Sequence, residues 1–474
     1  MKITFIMPNI GRQDHSLYID EARMEPLSLG VLAGLTPPDV ECVLYDDRME
    51  DIPFDEPTDL VAISIEIYAA RRAYEIAAEY RSRGIPVILG GAHPSLFPEE
   101  CQAYADSIYI GDAEFRWAEV VEDVRQGRLK PRYDAAVGVA QAGGSLPRRD
   151  LFVGKGYLPL TLMQFSRGCR FACDFCAVSA YFKKTQYIRP TQEVLEEIRR
   201  QDRKFVFFVD DNFLSNHDAA KSFLRDLIPM KIRWVSQASI DMTNDLELME
   251  LMAKSGCMGH VVGFESISPE SIKLMKKAPN LMHKEGWDRY QAQVEILRQF
   301  HMQTWATFTL GHDFDTIESI QETHEFAMRN RFCFAAYNIL MPYPGTPLYD
   351  RLNREGRLLF DGKWWLHPEY RFNQAAFVPK NMTPDELTDV IWSCRDKWNS
   401  PRSIFWRMWD FKTHMSSFTR LFMYLAYNPL YAKESYKKQG MLFGRHRKGP
   451  IGVPVGETSS RRSIERPAET TGVR

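Results

Sequence analysis

Short apolar runs alternate with stretches whose apolar residues recur every three or four positions, and this happens in two separate series along the chain. In the first series, runs at residues 3–7, 42–45, 60–65, 87–89 and 107–110 read as buried strands, and residues 26–35, 69–83, 98–104 and 113–125 read as helices. Such alternation predicts an α/β, Rossmann-like (flavodoxin-like) parallel sheet, whose ligands sit at the carboxyl ends of its strands. Those ends read Pro8-Asn9, Asp46-Asp47, Glu66-Ile67, Gly90-Gly91-Ala92-His93 and Gly111-Asp112-Ala113-Glu114, glycine-rich or polar as ligand loops should be.

The second series places strands at 158–165, 205–209, 232–238, 260–264, 304–310 and 335–340, with helices at 191–200, 246–255, 287–300 and 316–329. Six βα units in succession predict a partial (βα)6 TIM-like barrel. The expected division is a Rossmann-like domain at 1–135, a linker at 136–157 and the barrel at 158–348. A mostly helical, aromatic and basic region at 349–445 and a disordered tail at 446–474 would follow.

Composition narrows the class. With 45% hydrophobic and 26% charged residues, the chain is neither disordered nor collagen-like. A net charge of -2 gives no field for a nucleic-acid partner. From Arg395 to Arg474, however, 16 Lys and Arg stand against 6 Asp and Glu, a local +10, which leaves -12 on the preceding residues. An acidic body with a basic end predicts one surface facing something anionic. No apolar stretch reaches ~18 residues, and the N-terminal run breaks at Pro8-Asn9 without a cleavage site, so a cytoplasmic chain is expected.

Three of the eight cysteines crowd together in Ser166-Arg167-Gly168-Cys169-Arg170-Phe171-Ala172-Cys173-Asp174-Phe175-Cys176, a CxxxCxxC spacing just after a strand. Three thiolates on one loop can ligate three irons of a [4Fe–4S] cube and leave the fourth iron open. A structural zinc site would want a fourth ligand nearby, and none follows. Cys42, Cys101, Cys257, Cys333 and Cys394 are scattered, which argues against a second cluster.

With an aromatic, Phe175, before the last cysteine and a six-unit barrel around it, the segment 155–345 resembles the radical S-adenosylmethionine (radical SAM) enzymes. The resemblance implies that Cys169, Cys173 and Cys176 hold the cluster. It also implies that the open iron chelates SAM, and that one electron cleaves SAM to a hydrogen-abstracting 5′-deoxyadenosyl radical. Expected SAM contacts are Phe175, Ser236 and Gln237 at the third strand's end, and Glu265 in Gly263-Phe264-Glu265-Ser266. The alternative for Glu265 is a structural salt bridge at the barrel mouth. Asp210-Asp211-Asn212 stand where many relatives have Gly-Gly-Glu, so these carboxylates could meet SAM or the substrate. In Gly311-His312-Asp313-Phe314-Asp315-Thr316, the favoured reading is that Asp315 or Thr316 caps the next helix.

A Rossmann-like domain ahead of such a barrel resembles the cobalamin (B12)-binding domains of this enzyme class. Ser64, Glu66, Gly90, Gly91 and Gly111 are the expected cobalamin contacts, small residues that would let the corrin approach the backbone. The DxHxxG motif of other cobalamin domains is missing, and His15 has the wrong spacing, so no histidine from that motif would reach cobalt. A degenerate scaffold domain is the alternative, and His93 fits a packing role as well as a cofactor contact.

The resemblance implies a cobalamin-dependent radical SAM methyltransferase acting on an unactivated carbon. A B12-dependent oxidative cyclase or hydroxylase is the enzymatic alternative, and a non-catalytic Fe–S/corrin carrier a distant one. Expected partners are a lipophilic small molecule of hopanoid or tetrapyrrole type and a reductant such as flavodoxin or ferredoxin. Met341-Pro342-Tyr343-Pro344-Gly345 should close the barrel mouth. The apolar stretch 418–427, flanked by Lys433, Lys437 and Lys438, reads either as a helix bracing the barrel or as a peripheral contact with the inner membrane face.

Overall fold

The computed structural model describes residues 1–11, 23–138, 146–281 and 287–444. His15, the glycines at 143–144 and the tail at 446–474 lie outside the described residues. Strands β1 (Lys2–Met7), β2 (Glu41–Asp46), β3 (Leu60–Ser64), β4 (Val87–Gly90), β5 (Ser107–Ile110) and β6 (Arg132–Asp134) form one parallel sheet of order β2-β1-β3-β4-β5-β6. This extends the flavodoxin-like 2-1-3-4-5 order, whose switch point falls between β1 and β3. Both faces are covered by helices, so the strands read as continuous apolar runs, such as Leu60-Val61-Ala62-Ile63 with all four side chains buried. β6 escapes a hydropathy reading because it buries only Tyr133 between the exposed Arg132 and Asp134.

The second domain begins with β7 (Thr161–Met163). A hairpin of β8 (Ser166–Gly168) and β9 (Gln186–Ile188) follows, and then β10 (Phe205–Phe208), β11 (Arg233–Ala238), β12 (Cys257–Glu265), β13 (Gln303–Leu310) and β14 (Phe334–Ile339). The parallel order β14-β13-β12-β11-β10-β7 is the expected six-stranded partial barrel. The first strand is shorter than its apolar run because the chain leaves the sheet at Gln164 to enter the hairpin that frames the cysteine loop. The helix at His217–Leu227, capped by Asn216, is additional to those expected, although Ala220, Phe223, Leu224 and Leu227 mark its buried stripe.

The segment expected as a plain linker is instead packed. Its turn Arg149–Phe152 inserts Phe152 into the first domain's core, and Arg149 pairs with Glu25 on one side and with Glu197 of the barrel, at 3.0 Å, on the other.

The C-terminal region contributes helices Pro384–Asn399, Pro401–Met408 and Phe418–Lys438. Tyr424 packs with Trp305, Cys333 and Phe334 and closes the amino end of the barrel. At 1.5 Å per residue, the 21-residue last helix runs about 30 Å to the opposite end. Its apolar stretch is divided: Tyr424 is fully buried, whereas Phe418 is 84% and Phe422 62% exposed. Phe405, Trp406 and Phe411 are exposed nearby. Lys438, expected on a basic flank, turns inward to Glu434 and lines a cavity. No helix among the described residues is long and apolar enough to cross a membrane.

Candidate active site between the two sheets

The carboxyl ends of both sheets face each other across two adjoining cavities. The first, 590 Å³, is lined by Ser64, Glu66, Gly90, Gly91 and Gly111 from one domain and by Arg167, Tyr181 and Asp211 from the other. It extends as an apolar slot between Leu29, Ala62, Ile88 and Trp117. The second, 550 Å³, lies among Phe175, Thr309, Asn338, Met341 and Tyr343 of the barrel and Pro8, Asn9 and Tyr68 of the first domain. Met7 and Glu66 border both.

The glycines have different reasons to be glycine. Gly91 has φ +103°, and a Cβ there would sit 2.8 Å from the Ile65 carbonyl oxygen. Gly111, at φ +88°, would drive a Cβ into the Ala135 carbonyl oxygen. Backbone geometry demands both, rather than approach of a ligand. At Gly90 a Cβ would meet only Tyr109 Cβ, at 3.7 Å, so its missing side chain leaves room in the cavity itself. Glu66 reaches into the space between the cavities with no hydrogen-bond partner among the described residues, and loss of solvation raises its pKa against the pull of Arg48 and Lys438. His93, by contrast, is buried against Glu100 at 3.2 Å, the packing role.

The cysteine loop is held by the triplet Asp210-Asp211-Asn212 after β10. Asp210 accepts from the Phe165 amide at 3.0 Å, the Ser166 amide at 2.5 Å and the Ser166 hydroxyl at 2.6 Å. It is fully buried, and desolvation pushes its carboxyl up to about 7. Asp211 accepts from the Gly168 amide at 2.7 Å, just before Cys169, and Asn212 donates to Cys169 Sγ at 3.6 Å. All three therefore hold the loop; Asp211 also lines the first cavity, whereas Asp210 lines neither.

The three cysteines are free thiols. Burial pushes Cys173 up to about 12 and raises Cys176 as well, while the backbone amides of Val178 and Ser179 favour the Cys176 thiolate. The Lys277 ammonium favours both thiolates. No group of three His, Cys, Asp or Glu among the described residues surrounds one ion, and a cube, which takes each thiolate at a different corner, does not require that.

Glu265 sits at the end of β12 with φ +63°, where the register slips against β13. A non-glycine residue held in this region is strained. Its carboxylate pairs with Lys277 and accepts from the Thr309 hydroxyl at 2.7 Å, beside the second cavity. Sequence spacing predicts Glu265 but neither partner, because Lys276-Lys277 reads as an ordinary surface pair. Phe175 lines the second cavity, edge-on to His312.

Ser236 is a correction. It lies in register with Phe208 and His260 on the helix-covered face, bonded to His260 Nδ1 at 2.9 Å, and does not reach the lumen. Gln237 alternates to the lumen side. In the fifth-strand turn, Thr316 caps helix Ile317–Arg329, and Asp315 accepts from the amides of Gly311 and His312.

Residues 163–327 match the radical SAM superfamily. The chain is 28% identical over 387 residues to the bacteriochlorophyllide d C-12(1)-methyltransferase of Chlorobaculum tepidum, covering 79% of this chain and 82% of that one. It is 25% identical to the hopanoid C-2 methylase of Rhodopseudomonas palustris, covering 91% and 81%. Its fold is similar to that of the radical S-adenosylmethionine methyltransferase TsrM from Kitasatospora setae, solved with cobalamin and a [4Fe-4S] cluster bound. The TM-score is 0.58 at 17% identity, over 75% of this chain and 78% of that one. With the CxxxCxxC loop seated at the mouth of a six-stranded partial barrel, residues 163–327 form a radical SAM domain, in a chain whose two-domain fold is similar to that of a methyltransferase solved with cobalamin bound.

Proposed function

We propose that the chain is a cobalamin-dependent radical SAM methyltransferase that methylates an unactivated carbon of a large, mostly apolar substrate. The observation that carries this reading is the pair of adjoining cavities between the strand ends, one beside Gly90 and the other beside the cysteine loop. The relatives named for bacteriochlorophyllide and hopanoid methylation support a bulky polycyclic substrate. When bound, the cluster supplies the electron that cleaves SAM, and cobalamin supplies a methyl carrier.

The chain's own residues do the rest. Cys169, Cys173 and Cys176 would each hold one iron, and Lys277 offsets the charge of the thiolates. Glu265 and Thr309 would accept hydrogen bonds from the amino group or ribose hydroxyls of SAM, the Thr309 hydroxyl hydrogen being directed to Glu265. The apolar slot beside Trp117 suits the tail of cobalamin, and Ser64 and Gly90 would flank the ring. Tyr68, Tyr343 and Tyr370 exclude water from the second cavity, where the substrate would lie. A flavodoxin or ferredoxin would supply electrons.

The exposed rings of Phe405, Trp406, Phe411, Phe418 and Phe422, at the end of the chain carrying +10, would rest on an anionic bilayer surface. They lie at the amino end of the barrel, away from the cavities, so this contact would locate the enzyme and not feed its site.

Anaerobic reconstitution with iron, sulfide, SAM and hydroxocobalamin tests the reading. 5′-Deoxyadenosine should form, Cys173→Ala should abolish it together with iron binding, and extracts compared with a deletion strain should contain a product heavier by one CH2. Radical formation without a CH2 gain would replace methyl transfer by oxidative cyclisation or hydroxylation.

A further inference from the structure

Arg395, on helix Pro384–Asn399, lines the second cavity at 8% exposure. Its Nε donates to the Tyr337 carbonyl at 2.7 Å and one Nη to the Gln439 side-chain oxygen at 3.4 Å. Both acceptors are neutral, and three of its five N–H donors meet no acceptor among the described residues. No carboxylate among the described residues pairs with it, and burial lowers its pKa with only tyrosine and cysteine side chains nearby to oppose that.

The other buried arginines show how unusual this is. Arg72 is matched by Asp47, and Arg71 lies 3.8 Å from Glu75. Arg407 has no carboxylate either, but all five of its donors find oxygens: the Ser403 hydroxyl, the carbonyls of Phe332, Cys333 and Trp398, and the Asn428 side chain. It also stacks on Trp398 at 3.7 Å. A guanidinium cannot shed its proton in a protein, so a buried one with spare donors and no counter-ion carries a standing desolvation cost. An anion from outside would relieve it through a charge-assisted, often bidentate contact. The acid that lines this cavity, Glu66, is drawn by Arg48 and Lys438, which line it too, and not by Arg395. The rings of Tyr68, Tyr343, Tyr370, Phe372 and Phe175 line the same cavity.

We infer that the substrate is an amphipathic anion, a flat apolar body bearing a carboxylate or similar oxyanion, and that Arg395 receives that anionic group while the aromatic rings hold the body toward the cysteine loop. This rests on the proposed methyl transfer in that cavity and narrows its substrate class, setting a wholly neutral lipid aside.

The test uses two fluorescent probes with the same ring system, anionic 1-anilinonaphthalene-8-sulfonate and neutral N-phenyl-1-naphthylamine. Each is titrated into the reconstituted enzyme carrying Phe418→Glu and Phe422→Glu to reduce the outer apolar face. Arg395→Met should weaken the anionic probe at least about tenfold, as loss of a charge-assisted hydrogen bond implies, and leave the neutral probe unchanged. Arg395→Lys should restore part of the anion preference. Iron content and melting temperature report whether each variant folds, and Arg395→Gln replaces the Met variant if that one does not. An anionic probe bound equally with and without the Arg395→Met substitution, or both probes weakened alike, overturns the inference. The titration needs no turnover, so failure of the unsubstituted enzyme to cleave SAM would overturn the radical reading separately.

Discussion

The Lys277 ammonium pairs with Glu265 while its charge also reaches the thiols of Cys173 and Cys176, so one buried cation serves both the strand end of β12 and the cysteine loop. Both partners are nearly buried, at 13% and 8% side-chain exposure, and the pairing holds Lys277 well above the usual lysine range despite its burial.

Lys277→Met should therefore leave Glu265 as a buried, uncompensated carboxylate and cost about 3 kcal/mol in chemical denaturation of the apo-protein. Adding Glu265→Gln should recover most of the loss. A double variant no more stable than Lys277→Met would show that the two side chains act independently.

Gly90 and Gly91 should separate cavity from backbone. Gly90→Leu projects into open cavity space and should abolish hydroxocobalamin retention while iron content and melting temperature hold. Gly91→Ala should instead destabilise the first domain by about 1–3 kcal/mol, because its φ of +103° and the nearby Ile65 carbonyl do not admit a Cβ. Equal effects of the two substitutions on stability would contradict this division.

Asp210 gives a pH dependence of definite sign. Its carboxyl sits at about 7 in the fold and at about 4 in the unfolded chain, so the folded state binds the proton more tightly. Its contribution to stability is full below about pH 4 and declines as pH rises toward 7. Apo-protein denaturation followed across that range should show the decline, and Asp210→Asn should remove it. The same variant should load less iron, since one of the oxygens fixing Phe165 and Ser166 becomes a donor.

The aromatic face makes a salt-dependent prediction. The protein should sediment with anionic liposomes at low salt and less so at high salt, and Phe418→Glu with Phe422→Glu should reduce sedimentation further. Indifference of the unmodified protein to such liposomes at low salt would assign the exposed rings to some other contact.

The cysteine spacing, the two βα series and the glycine-rich strand ends belong to the sequence alone, because each is a local pattern: a period, a run or a fixed interval along the chain. The same locality explains the misplacements. Ser236 and Gln237 are neighbours in sequence but lie on opposite faces of β11, and only the register with Phe208 and His260 decides which one meets the lumen. Gly90, Gly91 and Gly111 look alike until φ and the nearest carbonyl are known. Lys277, Thr309 and Arg395 carry no signature, because what marks them is a partner, Glu265, 12 or 44 residues away, or the lack of a counter-ion for a buried guanidinium. Charge compensation in a buried site depends on what is adjacent in space, and that adjacency exists only once the two sheets have brought their strand ends together.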